Sequence, residues 1–255
     1  MYSGIVNLLY RRPDLYEQVY HDDHLRAVEF CDAMFAAHLP ARPATLLDLG
    51  SGTGCEVGMF AAAGIDAVGV DFQPSMVALA RQSVGPAARF HVGDQRSVRL
   101  GRRFDAVISL GFTIANVHTN ADIDRTFATY AAHTEIGGIL ILETLNLTDQ
   151  AGANLPAEFQ VSVDGHVSRG TAEFTMNHRT QLLTRRRTWR FPDLPDETDH
   201  AVFRVLFPKE LEMYLTRHGF HPLSLYDNPN ATPGPLTGST LFTTARYEGP
   251  RKTPT

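Results

Sequence analysis

Cysteine is scarce in this chain, with only Cys31 and Cys55 among 255 residues. They form neither a CxxC pair nor a cluster with histidine, which excludes a disulfide-stapled scaffold or a zinc ribbon. Lysine is equally rare, at Lys209 and Lys252 alone, so the basic residues are nearly all arginine, a usage that points to a GC-rich bacterial genome and not to any chemistry. With a net charge of −5, the chain lacks the basic balance of a dedicated nucleic-acid binder. No apolar run approaches the roughly 20 residues that span a bilayer. The N-terminal MYSGIVNLLYRRPD sets a short apolar stretch before its basic pair, the reverse of a secretory signal. The expectation is a cytoplasmic protein with no membrane contact. Internal repeats and low-complexity blocks are absent too.

What the chain does have is alternation. Residues 13–38 carry Leu15, Val19, His24, Val28, Cys31 and Phe35 at mostly three- and four-residue steps, which predicts a helix. Next come the strand ATLLDL, a helix over Cys55–Ala63, the strand DAVGVD, a helix over Pro74–Ser83 and the strand ARFHVGD. FDAVISL (strand), Ala121–His133 (helix) and GGILILETL (strand) close the series. Short, continuously apolar strands separated by helices imply an α/β fold with a mostly parallel sheet covered on both faces. After Asn146 the runs EFQVSVD, GTAEFTMNH, TQLLTRRRTWRF and DHAVFRVLF alternate in part, as antiparallel strands do. PKELEMYLTRHGF reads as an amphipathic helix with Leu211, Tyr214 and Leu215 on its apolar stripe, followed by two strands. The expected organisation is a single domain over 1–247 with a flexible tail at 248–255. Within it lie a helical cap (1–40), a ligand-binding core (45–145), an antiparallel lid (155–206) and a closing helix and hairpin (207–247).

The stretch TLLDLGSGTG places Gly50, Gly52 and Gly54 directly after an apolar strand and before a helix. Such a turn lets backbone approach a ligand that a Cβ would block. Its spacing is not the GxGxxG of a dinucleotide fold, which argues against a nicotinamide oxidoreductase. The next strand ends in Asp71, where a carboxylate can accept both hydroxyls of a ribose. The one after ends in HVGDQ, setting Asp94 where an acceptor could read an exocyclic amine. Together these three strand-end features suit an adenosine-bearing ligand.

As a set, LLDLGSGTG, VGVDFQPSMVALAR, FHVGD and FDAVISL resemble the class I S-adenosylmethionine-dependent methyltransferases, over about Thr45 to Leu145. The resemblance implies a Rossmann-like seven-stranded sheet with one antiparallel strand and a β-rich insert before the last helix. FPKELEMYLTRHGF is similar to the family's final helix. The insert, with the N-terminal DLYEQVY, is similar to small-molecule enzymes acting on amino sugars and other natural-product amines or hydroxyls, antibiotic precursors among them. In those enzymes the tyrosine of a YD pair lies near the methyl group; Tyr16 matches it, with Glu17 in place of Asp. The cofactor implied is S-adenosyl-L-methionine. Gly50, Ser51, Gly52 and Gly54 would lie against its methionine and ribose parts, with Asp48 meeting its ammonium. Asp71 would take the ribose hydroxyls, Phe72 and Met76 would pack on adenine, and Asp94 would read the adenine amine with Gln95 beside it.

On the acceptor side, the loop SLGFTIANVHT should bring Leu110, Gly111, Asn116 and His118 to the methyl group. Asn116 could hold an amine or hydroxyl and His118 could take its proton, while an amine bound neutral needs no strong base. His21 and His24 share a helix face, but without further ligands at matching spacing no metal is expected. Arg186 or Arg190 could grip a carboxylate or phosphate, although charge guarding an exposed strand is the blander account. The expected partner is a small-molecule acceptor, with room for a homodimer. Two other function classes stay open: a nucleic-acid methyltransferase, which would want an Asn/Asp-Pro-Pro-aromatic motif and a basic stripe, and a cofactor-binding protein without turnover.

Overall fold

The structure, a computed structural model, describes residues 7–146, 157–163, 166–190 and 195–250. Two helices open it, α1 (Leu8–Arg11) and α2 (Pro13–His38), and the latter is the long helix read from periodicity. The apolar runs then become β1 (Thr45–Leu49), α3 (Cys55–Ala62), β2 (Asp66–Asp71), α4 (Pro74–Val84) and β3 (Arg89–Val92). β4 (Phe104–Ser109), α5 (Asn120–His133) and β5 (Thr134–Leu145) follow. The insert supplies β6 (Ala157–Val163), β7 (His166–Asn177), β8 (Leu182–Arg190) and β9 (Glu197–Arg204), and the chain closes with α6 (Pro208–Arg217), β10 (Phe220–Tyr226) and β11 (Thr240–Tyr247).

Seven strands form the main sheet in the order β10-β11-β5-β4-β1-β2-β3, with β11 antiparallel to both of its neighbours. Both faces are buried, which is why its strands read as continuous apolar runs. On one face Leu47, Leu49, Val68, Val70 and Val107 pack against Phe127 and Tyr130 of α5 and Leu211 and Leu215 of α6. On the other, Leu46, Ala67, Ala106 and Ile108 meet Phe30, Met34 and Phe35 of α2, Val57 and Phe60 of α3, and Val77 and Ala80 of α4. This is the Rossmann-like arrangement that the strand order alone requires.

The insert pairs as a separate antiparallel sheet, β6-β7-β8-β9. Its inner face is seated in two places: Trp189 on Leu8, Leu9 and Leu15 of the N-terminal helices, and Leu183, Ala201 and Phe203 on Ala115 of the loop after β4. A single carboxylate fastens the first of these. Asp199, with no exposure, accepts from Arg187 Nε (3.1 Å) and Nη2 (2.9 Å), from Trp189 Nε1 (2.8 Å) and from the Leu8 amide (3.2 Å). Of the tail expected to be flexible, Glu248 donates its amide hydrogen to the Gly219 carbonyl at 2.8 Å and Gly249 is buried, so the chain stays anchored through Gly249. Residues 251–255 lie outside the described residues, as do 1–6 of the expected cap and 155, 156, 164, 165 and 191–194 of the expected lid. Among the described residues, no helix is long and apolar enough to cross a membrane.

Candidate active site

The glycine turn sits at the C-terminal end of β1, where the parallel strands open a crevice. Gly50 (φ +100°) and Gly52 (φ +51°) both occupy the left-handed region. A Cβ on Gly50 would stand 2.2 Å from the Thr113 side chain, and one on Gly52 would point at the Tyr16 ring, 3.9 Å away. The Gly50 and Ser51 amides donate to the Val70 carbonyl at 2.7 and 3.0 Å. Asp71, at the tip of β2, accepts from the Gly52 amide at 2.9 Å through Oδ2 and from the Gln73 amide at 2.7 Å through Oδ1. Burial raises its carboxyl above the usual range, partly offset by those two N–H donors. Each oxygen keeps a further lone pair for a ligand.

Above this turn lies a cavity of about 380 Å³. Gly50, Gly52, Val70 and Asp71 make its base; Phe72, Gln73, Met76, Gly93 and Gln95 one wall; Gly111, Thr113 and Asn116 another; Tyr10 and Tyr16 its roof. Tyr16 stacks obliquely on Tyr20 (4.8 Å between ring centres) and approaches Tyr10 (6.3 Å). Its hydroxyl lies 3.9 to 4.0 Å from where Cβ atoms of Gly111 and Gly52 would stand. Burial, with Tyr10 and Tyr20 alongside, holds the Tyr16 phenol well above its ordinary pKa, and burial lifts Tyr10 to about 12. Both are neutral hydroxyls at any working pH. Asn116 donates to the Thr113 carbonyl at 3.2 Å and faces Tyr10, while its Oδ1 is buried with no hydrogen-bond partner among the described residues. Gln95 donates to that same Thr113 carbonyl at 3.1 Å.

Behind the base is a group of buried acids. Asp48 is 2% exposed and its Oδ1 has no hydrogen-bond partner among the described residues; burial, then Glu56 and Asp71, push its pKa well up. Glu56 accepts from His24 Nδ1 at 2.6 Å; burial works to lower the His24 pKa, but Glu56 together with Glu17 and Asp23 leaves it raised. Glu143, from β5, accepts the Gly111 amide at 2.8 Å and is pushed by burial to about 7. Burial and mutual crowding raise Asp48 and Glu143 toward their neutral forms, and a cation placed among these acids would relieve that crowding. Beside it Glu17, His24 and Cys55 bring one ligand atom each to within 4.8 Å of one another, a set that could hold a metal. His21, on the same helix face as His24, is exposed and takes no part in this set.

Several expected site residues stand elsewhere. Ser51 and Gly54 do not border the cavity: Gly54 has no room for a Cβ because Phe90 (2.7 Å) and Ala80 (2.9 Å) press on it, so it serves helix–sheet packing. Leu110 is core, 4% exposed, and only Gly111 of that pair reaches the cavity. Asp94 is turned to Arg96, which grips it through Nε and Nη2 (2.6 to 3.0 Å). Although partial burial works the other way, Arg96 keeps the Asp94 carboxyl below its usual range, and Gly93 and Gln95 face the cavity in its place. His118 bonds the Val202 carbonyl of β9 at 2.9 Å and is a tie between loop and lid, not a cavity residue. Arg186 and Arg190 lie on the outer face of β8, paired with Glu173 and Asp196. Tyr10, Val70, Gln73, Gly93 and Thr113 also line the cavity, none of them expected from the sequence; Tyr10 lies only six residues before Tyr16 in the same aromatic-rich cap, a signal that was available.

Residues 46–138 match the family described as "Methyltransferase domain". Over 99 residues the chain is 34% identical to a dTDP-3-amino-3,4,6-trideoxy-alpha-D-glucopyranose N,N-dimethyltransferase of Streptomyces venezuelae, covering 39% of this chain and 41% of that protein. Over 142 residues it is 33% identical to a dTDP-3-amino-3,6-dideoxy-alpha-D-glucopyranose N,N-dimethyltransferase of Streptomyces fradiae, covering 56% and 54%. The matches thus span about half the length of these curated relatives. Among solved structures, SAM-bound CalS10, an amino pentose methyltransferase from Micromonospora echinaspora involved in calicheamicin biosynthesis, is 25% identical with a TM-score of 0.72, covering 89% of this chain and 91% of that one. The sheet order and the glycine turn are those of these methyltransferase structures, and residues 46–138 match the methyltransferase domain.

Proposed function

We propose that the protein transfers a methyl group from S-adenosylmethionine to the amine of a small natural-product molecule. The observation that carries this is the pairing of Asp71, tied to the glycine turn, with the unpartnered buried Asp48 behind it. One acid suits the ribose hydroxyls and the other the ammonium of the cofactor's methionine part, with Glu143 adding to the negative field. Phe72 and Met76 flank the adenine, Gln95 offers it an amide, and Gly50 and Gly52 allow the sulfonium end to lie close to backbone.

The cofactor supplies an already activated methyl group, so the protein's task is alignment and exclusion of water. Tyr16 and Tyr10 form a lid over the reacting centre. Asn116 Oδ1 accepts a hydrogen from the incoming amine and turns its lone pair toward the methyl carbon. The amine enters neutral, and its extra proton leaves to solvent after transfer, so no strong base is needed. The relatives' names, all of amino-sugar N,N-dimethyltransferases, favour nitrogen over oxygen as the acceptor atom. A cytoplasmic enzyme acting on no nucleic acid fits the net charge of −5, and a homodimer is compatible with this reading. The test is mass spectrometry of bacterial extract incubated with the enzyme and methyl-labelled cofactor. One or a few labelled small amines are expected; cofactor binding without any labelled product would leave a binding protein instead.

A further inference from the structure

Outside the cavity, three side chains of metal-binding type converge between two helices. Glu17 and His24 stand seven residues apart on α2, two turns along one helix face, and Cys55 opens α3 directly after Gly54 of the glycine turn. One ligand atom from each lies within 4.8 Å of the other two. None of the three lines the cavity. His24 is 7% exposed, and its Nδ1 is held by Glu56 Oε1 at 2.6 Å. Its Nε2 is buried and, like Glu17 Oε1, has no hydrogen-bond partner among the described residues. Cys55 gives its thiol hydrogen to the Glu17 carboxylate.

A buried polar atom left without a hydrogen bond is costly, and this cluster holds two. A cation satisfies both at once. With the Nδ1 hydrogen donated to the Glu56 carboxylate, the lone pair of the neutral imidazole is on Nε2, the arrangement by which a second carboxylate orients a histidine toward a metal. We infer that Glu17, His24 and Cys55 form a zinc-class metal site, with a carboxylate oxygen, the imidazole Nε2 and a thiolate on a tetrahedral ion and water in the fourth position. Thiolate and imidazole together select zinc over magnesium and calcium, which take oxygen ligands. Binding replaces the thiol hydrogen, so one proton leaves Cys55 for solvent with each ion bound. Zinc holds sulfur at about 2.3 Å and nitrogen at about 2.0 Å, which sets ligand atoms about 3.5 Å apart and asks the cluster to close by roughly an ångström. The Glu17 side chain, free at one oxygen, can make that movement. The ion ties α2, which carries Tyr16 into the cavity roof, to the start of α3. The site does not depend on the methyltransferase reading, since cluster and cavity share no residue.

The test uses the full chain, reduced, stripped with a chelator, desalted and titrated with cobalt(II) as the spectroscopic substitute for zinc. The expected result is a thiolate-to-cobalt charge-transfer band that saturates at one ion per chain and vanishes when zinc displaces the cobalt. Zinc should also raise the melting temperature of the stripped protein. Cys55→Ser should lose the band, while Cys31→Ala and the exposed-face variant His21→Gln keep it. His24→Gln and Glu17→Gln should each weaken cobalt binding at least tenfold. Glu56→Ala should weaken it about tenfold and Glu56→Gln, which keeps an acceptor for Nδ1, by less. X-ray absorption of the zinc-loaded wild type needs no variant to fold, and should show one sulfur in a shell otherwise of nitrogen and oxygen. No band at saturating cobalt, a band that survives in Cys55→Ser, unchanged affinity in His24→Gln, or a zinc shell without sulfur would each overturn the site.

Discussion

The Asp71 carboxylate accepts the Gly52 amide hydrogen at 2.9 Å, so the end of the second strand fixes the shape of the turn that follows the first. Under the proposed cofactor reading, loop order and ribose recognition therefore share one side chain. Asp71→Ala should weaken S-adenosylhomocysteine binding by about 1.5–3 kcal/mol for each charged hydrogen bond removed. Asp71→Asn, which retains an acceptor for Gly52, should lose less. Calorimetry on both variants checks this; equal affinity to wild type in the alanine variant, with the fold intact, would remove Asp71 from the cofactor site.

Tyr16 is a neutral phenol poised over both glycine-bearing loops. Tyr16→Phe keeps the ring stack on Tyr20 and deletes the hydroxyl alone. Turnover should fall by about tenfold, the worth of one hydrogen bond made in the aligned complex, while the melting temperature holds. Full activity would mean that the ring merely anchors the helix.

Asn116 and His118 should part company. Asn116→Ala removes the unpartnered Oδ1 from the cavity wall, and turnover should drop about 10- to 100-fold with little change in stability. His118→Phe should lower stability by about 1 kcal/mol, because the Val202 carbonyl loses its partner, and leave the pH dependence of turnover where it was. A pH–rate limb that vanishes in His118→Phe would restore it as the proton acceptor.

Glu143 carries a pH signature of its own. Its folded pKa, about 7, lies above the ordinary carboxylate value, so the native state holds a proton that the unfolded chain has released. Its contribution to stability is therefore present at acid pH and declines as pH rises from about 4.5 through about 7. Glu143→Gln keeps an acceptor for Gly111. It should be near neutral in effect at pH 4.5 and stabilising by about 1–2 kcal/mol at pH 8, after discounting for the partial exposure of this side chain. Thermal melts across that range, without cofactor, give the answer; a constant difference would show that Glu143 is ionised throughout.

The parallel sheet and its glycine turn were legible because burial on both faces writes itself as unbroken apolar strands, and because a strand-end aspartate beside such a turn has few other uses. The lid arginines were not legible. Arg186 and Arg187 differ only in parity, and parity depends on which face of the insert is covered, which nothing local to TRRRTWR encodes. The same holds for Asn116 and His118, separated by one residue across a short 3₁₀ turn at Thr113–Asn116 that sends one inward and the other to the lid. Asp94 was misplaced because its partner, Arg96, is two residues away and competes for the carboxylate at close range.

Asp199 has a kinetic consequence. Since this one carboxylate binds the N-terminal cap and the second sheet together, the roof over the cavity behaves as a single piece, carrying Tyr16 and the second sheet alike. Under the proposed reading, an opening wide enough to admit the cofactor would withdraw Tyr16 and the inner face of β8 together. The acceptor site is then assembled only after the cofactor is enclosed. Binding should be ordered, cofactor first, and release should run in reverse, with the methylated product leaving before the spent cofactor.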